Sequence, residues 1–279
     1  MNTNLTGRTV IVTGGAQGIG LETARQIVKS GGRVAILDVD GEAAAAAAGG
    51  LGSPAVVQAF AADVRNPDSI EAALIGVHEQ FGGYDTVVVN AGVGLPLQTF
   101  RSTAAEQFAR VVDVNLVGAA NTVRATLPTV IEHAGQYLIV SSVVAFNNGA
   151  LESAYAASKA AVEALGRALQ MELVPYGVDV TIAYPGYVRT GMLDLFWENE
   201  VARRFDRTIP KFLKGGLSAQ TAGQAMAGAL VKPTKALVFP GRWRPIKALR
   251  GLWGPLSEAT LSRNTDFAAA VALSDSEVL

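Results

Sequence analysis

Short runs rich in β-branched residues alternate with longer segments of helical period almost from the first residue. The pattern predicts strands at Thr9–Thr13, Arg33–Asp38, Ala55–Ala59, Thr86–Asn90, Tyr137–Ser141, Asp179–Tyr184 and Ala236–Phe239. Most of these, VIVT and TVVVN among them, are apolar at consecutive positions, not at every second one. Such runs belong to strands buried on both faces, hence to a parallel sheet with helices above and below. Helical patterns fill the intervals at Gly18–Ser30, Pro67–Phe81, Thr103–His133, Ser153–Tyr176 and Ser218–Val231. The alternation predicts an α/β fold built on a doubly wound, Rossmann-like parallel sheet with right-handed crossovers.

No linker rich in Pro, Gly or Ser and no internal repeat divides the chain, so residues 1–241 read as one domain. The alanine run Ala43–Ala48 reads as a small-residue helix lying close to the sheet. Residues 242–279 follow the last strand as a C-terminal helical extension of the same domain. Within it, RWRPIKALRGLW sets Ile246, Leu249 and Trp253 near helical spacing, with Arg242, Arg244, Lys247 and Arg250 between them. The expectation is an amphipathic helix covering the chain's own core, with contact to a membrane surface as the alternative.

Composition narrows the function classes. The 279 residues are 49% hydrophobic and only 17% charged, with a mean hydropathy of +0.28, which excludes a disordered chain. Twenty-three basic and 24 acidic side chains nearly cancel, so no electrostatic footprint for nucleic acid exists. The absence of cysteine removes disulfides, thiolate metal sites and thiol nucleophiles, and two histidines leave little material for a metal centre. No apolar leader core and no membrane-length apolar run is found, which predicts a soluble, cytoplasmic protein without a metal.

The candidate chemistry begins where the first strand runs into Thr13-Gly14-Gly15-Ala16-Gln17-Gly18-Ile19-Gly20 and then a helix. Glycines there let the backbone turn sharply and approach a pyrophosphate, whose charge is then met by the helix N-terminus. The second strand ends in Asp38, placed to accept the hydroxyls of an adenosine ribose, and no Lys or Arg sits in the glycine loop to receive a 2′-phosphate. That combination predicts NAD. Tyr155 and Lys159 lie four residues apart on one helical face, where an ammonium lowers the cost of ionising the phenol. Ser142 closes the strand YLIVSS at its carboxyl end, the edge at which open α/β sheets bind ligands. Base, hydroxyl donor and hydride-accepting cofactor are together what carbinol oxidation requires. Against them, His78 and His133 are expected to be ordinary helix residues.

In the order and spacing of these pieces the chain resembles the short-chain dehydrogenase/reductase family over roughly residues 5–240. The matching pieces are TGGAQGIG (13–20), Asp38, Asp63-Val64, Asn90-Ala91-Gly92, Asn115, Ser142, Tyr155, Lys159 and Pro185-Gly186 with Thr190. The resemblance implies that Tyr155 is the acid/base, that Ser142 holds the substrate oxygen, and that Lys159 lowers the tyrosine pKa and binds the nicotinamide ribose. It implies a water on Asn115 leading from Lys159 to a proton relay. It also places Asp63 and Val64 on the adenine, Asn90 and Gly92 along the cofactor, and Val188 and Thr190 at its carboxamide end.

The expected function is an NAD-dependent interconversion of a secondary alcohol and a ketone. The alternatives are an NADPH-dependent ketone or 3-oxoacyl reductase and a non-catalytic dinucleotide-binding scaffold. Tyr187, Met192, Leu193, Leu195, Phe196 and Trp197 form a lid candidate suited to an apolar small-molecule substrate. Small residues on more than one face of the Ser153 helix predict a homodimer through it and the long helix before it, with the extension blocking further assembly or, through Trp243, Leu252 and Trp253, completing the substrate pocket.

Overall fold

In the computed structural model, which describes residues 4–276, seven parallel strands form one sheet in the order β3-β2-β1-β4-β5-β6-β9. Its first half runs β1 (Thr9–Thr13), α1 (Gly18–Lys29), β2 (Arg33–Asp38), α2 (Gly41–Gly49), β3 (Val57–Ala61), α3 (Pro67–Phe81) and β4 (Thr86–Val89). The second half runs α4 (Ala105–Val112), α5 (Gly118–Glu132), β5 (Gln136–Val140), α6 (Ser153–Glu172) and β6 (Asp179–Pro185). A short pair, β7 (Val188–Arg189) and β8 (Leu217–Ser218), brackets α7 (Gly191–Phe196) and α8 (Glu200–Thr208). Then follow α9 (Ala219–Val231), β9 (Ala236–Phe239), α10 (Arg244–Ala248), α11 (Arg250–Leu261) and α12 (Thr265–Ser276).

The consecutive apolar runs are explained by two cores, one on each face of the sheet. Val10, Val12, Val34, Ile36 and Leu138 point to the side covered by Ala24 and Ile27 of α1 and Met226 and Leu230 of α9. The intervening residues Ile11, Ala35, Leu37, Val87 and Ile139 point to Val77 of α3, Val123 of α5 and Val162 of α6. Strand order reverses between β1 and β4, and the crevice at this switch point opens at the carboxyl ends of the strands. Among the described residues no helix is long and apolar enough to cross a membrane.

Several boundaries differ from the sequence pattern. The third strand is Val57–Ala61, not Ala55–Ala59, because residues 53–57 turn back on Ser53 O and the parallel register joins Val34 to Val57. Strands β4 and β5 stop at Val89 and Val140, so that Asn90, Ser141 and Ser142 lie just beyond the sheet. The long helix expected over 103–133 starts at Ala105 and widens into a π-turn at Asp113–Val117, which contains Asn115. The single amphipathic helix expected after Pro240 is a short turn followed by α10, α11 and α12.

The extension packs against the domain in two places. Trp243 and Ile246 are buried with Phe146, Ile182 and Tyr184. Ala270 of α12 is buried against Leu97, Val201 and Ala202, so this last helix straps α8 to the domain. Leu249, just before α11, and Leu252 and Leu256 within it remain more than half exposed, which departs from a purely core-covering helix.

Candidate active site

The crevice at the switch point is a cavity of about 470 Å³ lined by Gly14, Gln17, Gly18, Ile19, Asp38, Asp63, Val64, Asn90, Ala91, Gly92 and Thr190 among others. Gly14 has φ +63, and a Cβ there would meet Ala91 Cα at 2.8 Å. Asn90 ties the loop to its neighbour strand, donating from Nδ2 to Thr13 O and Gly14 O at 3.0 Å each. Gly20 packs behind the loop, where a Cβ would lie 2.2 Å from Gly14 O. Helix α1 has no side-chain cap, leaving its first-turn N–H groups to an anionic group placed before it.

Asp38 closes β2 on the wall of this cavity and accepts from Ala16 N at 3.0 Å, which fixes its carboxylate against the glycine loop. The sequence reading missed two cations on the same lining, Arg65 and Arg110. Arg65 is engaged by Asp63, with Nη2 at 2.6 Å from Oδ2, and this pairing holds the Asp63 carboxyl below its ordinary range. Uncapped N–H groups, close glycine backbone and a carboxylate a strand away are a donor and acceptor set that fits a dinucleotide.

A second, smaller cleft of about 100 Å³ meets this cavity at Ile19, Thr190 and Met192, which border both. Ser142, Tyr155, Pro185, Gly186 and Val188 line it, together with Tyr187, Leu193 and Phe196. The cofactor-contact expectation for Pro185, Gly186 and Val188 therefore falls on the cleft side of the junction. Of the remaining lid candidates, Trp197 packs edge-on against Tyr187 at 5.9 Å, and neither it nor Leu195 lines the cleft. Phe196 covers the phenol ring of Tyr155, with centroids 5.2 Å apart.

Beneath the junction Lys159 and Asn115 converge, buried behind the lining of the two spaces. Lys159 is buried, donates from Nζ to Val140 O at 2.9 Å, and lies 5.7 Å from the Tyr155 ring centroid. Asn115 accepts from Val93 N at 2.7 Å and donates to Val93 O at 3.0 Å and Ser158 Oγ at 2.9 Å. Its π-turn thereby pins the loop after β4. A Cβ on Gly92 would sit 3.1 Å from Asn115 Oδ1 and 3.3 Å from Lys159 Nζ, so both reach the cofactor cavity floor under this glycine.

Burial dominates the electrostatics of this group. It depresses Lys159 to about 8. It pushes the Tyr155 phenol up, reinforced by the charge of Glu152 and opposed by the Ser142 hydroxyl. Burial also raises Glu152 to about 8. Because the folded value exceeds the unfolded one, Glu152 costs no stability below the ordinary carboxylate range and increasingly destabilises as pH rises toward 8. Glu152→Gln is expected to melt with wild type near pH 5 and above it at pH 8.5; a constant difference across that range in thermal melts would contradict this.

Four residues of the cleft, Val143, Val144, Asn147 and Glu152, are not marked by the sequence, whereas Trp243 is. Asn147, Glu152 and Trp243 all line it. Trp243 comes from the extension, and Trp253 Nε1 donates to Asn147 Oδ1 at 3.0 Å, so the extension does complete this pocket. Leu252 takes no part and is exposed.

The short chain dehydrogenase family profile matches residues 8–201, most of the chain. The chain belongs to the short-chain dehydrogenase family. Within it, this short-chain dehydrogenase is 36% identical over 194 residues to oxidoreductase UcpA of Escherichia coli K12, covering 68% of this chain and 73% of that protein. It is 32% identical over 224 residues to L-fucose dehydrogenase of Bos taurus, covering 80% of each. Among solved structures it resembles 3-ketoacyl-(acyl-carrier-protein) reductase from Brucella melitensis complexed with NADH, with a TM-score of 0.77, 28% identity, and 86% and 100% of the two chains covered. Levodione reductase superposes equally well, with a TM-score of 0.77, 26% identity, and 86% and 99% of the chains covered. The family binds a nicotinamide dinucleotide and the chain is an oxidoreductase of that family.

Proposed function

We propose that this short-chain dehydrogenase interconverts a secondary alcohol and a ketone on a largely apolar small molecule, with NAD as cofactor and Ser142, Tyr155, Lys159 and Asn115 as its working group. One observation carries the reading: Tyr155 and Ser142 face a cleft that opens onto the dinucleotide-shaped cavity, with buried Lys159 directly beneath the junction. Bound NAD supplies the hydride acceptor. Gly14, Gln17, Gly18, Ile19 and Gly20 shape the pyrophosphate seat, Asp63 and Val64 flank the adenine, and Asn90, Ala91 and Gly92 form the floor. Pro185, Gly186, Val188 and Thr190 hold the turn where the cavities meet.

Tyr155 Oη takes the carbinol proton in oxidation and returns it in reduction. Ser142 Oγ donates to the substrate oxygen and orients it toward the phenol. Lys159 brings positive charge to the same helical face, which favours the ionised phenol over its buried neutral state. Asn115 acts through the loop after β4, holding the floor on which Gly92 and Lys159 meet. Met192, Leu193, Phe196 and Tyr187 exclude water and favour apolar substrate carbon, at about 0.8 kcal/mol per buried methylene. Helix α6 leaves Ala157, Ala160, Ala164 and Ala168 exposed in a row, which supports a homodimer through this face and α4–α5. Absorbance at the reduced-nicotinamide band during turnover of a panel of secondary alcohols tests the reaction class; no turnover of any member defeats it.

The cofactor preference rests on Asp38. A 2′-phosphate beside its carboxylate costs about 1–4 kcal/mol per charge pair, and Arg65 is already spent on Asp63. NAD is expected to exceed NADP at least tenfold in kcat/KM, and Asp38→Ser to narrow that gap. Equal or reversed preference in steady-state kinetics refutes the assignment.

A further inference from the structure

Glu152 stands one turn before Tyr155, at the N-terminal boundary of α6. Its side chain makes no capping bond to the helix. It lines the substrate cleft instead. Among the described residues nothing donates a hydrogen bond to its carboxyl and no cation pairs with it. It is also the sole Asp, Glu, Lys, Arg or His on a lining whose other polar groups are the hydroxyls of Ser142, Tyr155, Tyr187 and Thr190 and the amide of Asn147. Asn147, the nearest polar alternative on that lining, has its carbonyl oxygen occupied by Trp253 and its amide donating to Val143 O.

Glu152 is part-buried on the cleft wall, and a ligand that fills the cleft removes its carboxyl from water, which costs free energy unless the ligand supplies a partner. Such a cost is offset when a ligand brings the missing partner. A site built around a buried polar group rejects ligands that leave this group unpaired, which makes it a strong selector.

We propose that Glu152 is a specificity residue that selects substrates bearing a second hydrogen-bond donor, a hydroxyl or an amine, close to the reacting carbinol. The proposal rests on the alcohol–ketone reading of the same cleft and adds to it the one polar feature its substrate must have. Glu152 and Tyr155 line one cleft of only about 100 Å³, and the Glu152 charge reaches the phenol, so the second donor belongs on a carbon close to the carbinol carbon. Vicinal diols and amino alcohols on an apolar skeleton satisfy both the cleft wall and Glu152.

The probes are cyclohexanol, cyclohexane-1,2-diol and 2-aminocyclohexanol, titrated calorimetrically into the protein–NADH complex, in which no oxidation can occur. In the wild type the two bifunctional probes are expected to bind at least tenfold more tightly than cyclohexanol. Glu152→Leu is expected to bring the ratios to within about twofold of one. Glu152→Gln, of the same shape, retains part of the diol preference and loses at least fivefold of the amine preference, and it decides the matter if the leucine variant fails to fold. Relative loss in the diol or the amine arm identifies which donor the site prefers. Equal affinities for all three probes, no binding of any, or ratios untouched in both variants overturn the proposal. Discrimination in these titrations without NAD-linked oxidation of any probe defeats the reaction assignment and leaves the role of Glu152 standing; oxidation without discrimination does the reverse.

Discussion

Tyr155→Phe is expected to lower kcat by about a thousandfold or more while leaving NADH affinity within about threefold of wild type. A positioned acid/base contributes about 10²–10⁴ in rate, and the phenol lines the cleft on the substrate side of the junction. Because Tyr155 does not line the larger cavity, its hydroxyl is not expected to matter for dinucleotide binding. Burial holds the phenol protonated, so oxidation is expected to gain rate as pH rises and reduction to lose it. Stopped-flow turnover and NADH fluorescence titration measure the two quantities separately. Retention of more than a few per cent of activity means that another group carries the proton.

Lys159→Met keeps the aliphatic stem and deletes the charge. It is expected to reduce kcat about a hundredfold and to weaken NADH binding about tenfold or more, the double loss separating it from Tyr155→Phe. The reasons are geometric: Nζ lies under Gly92 on the floor of the dinucleotide cavity and also near the Tyr155 ring. A charge-assisted hydrogen bond at such a buried point contributes about 1.5–3 kcal/mol. The same burial holds the ammonium down at about 8, below its unfolded value. In the wild type, stability is therefore expected to increase as pH rises from about 8 toward the unfolded value, because only the unfolded chain still binds the proton there. Lys159→Met is expected to lack that rise. Thermal melts at pH 7.5 and 10 read this directly, and an unchanged pH dependence in the variant excludes a buried, titrating Lys159.

The sheet and most of the site are legible in the linear order because their determinants are local. Consecutive apolar residues in TVIVT and TVVV require burial on both faces, and the glycine loop requires a turn between strand and helix. Asp38, Ser142, Tyr155 and Lys159 occupy strand ends or one helical face, and spacing alone decides which side of an element they share. Where boundaries shift, the cause is non-local. Val57 is placed by its pairing with Val34, and the π-turn at Asn115 stands where its side chain ties the loop after β4. Helix period shows neither.

Taken by itself, the sequence determined the architecture, the dinucleotide-binding loop and the family, since each depends on residues a few positions apart in an order that chance does not reproduce. Only the tertiary structure decided which residues complete the substrate cleft. Trp243 lines it from the extension, more than eighty residues beyond Tyr155, Trp253 holds Asn147 on its wall, and Glu152 lines it without capping the helix it precedes. It also decided the protonation of the buried group: spacing sets Lys159 beside Tyr155, but desolvation, which no spacing encodes, pushes the phenol up and the ammonium down.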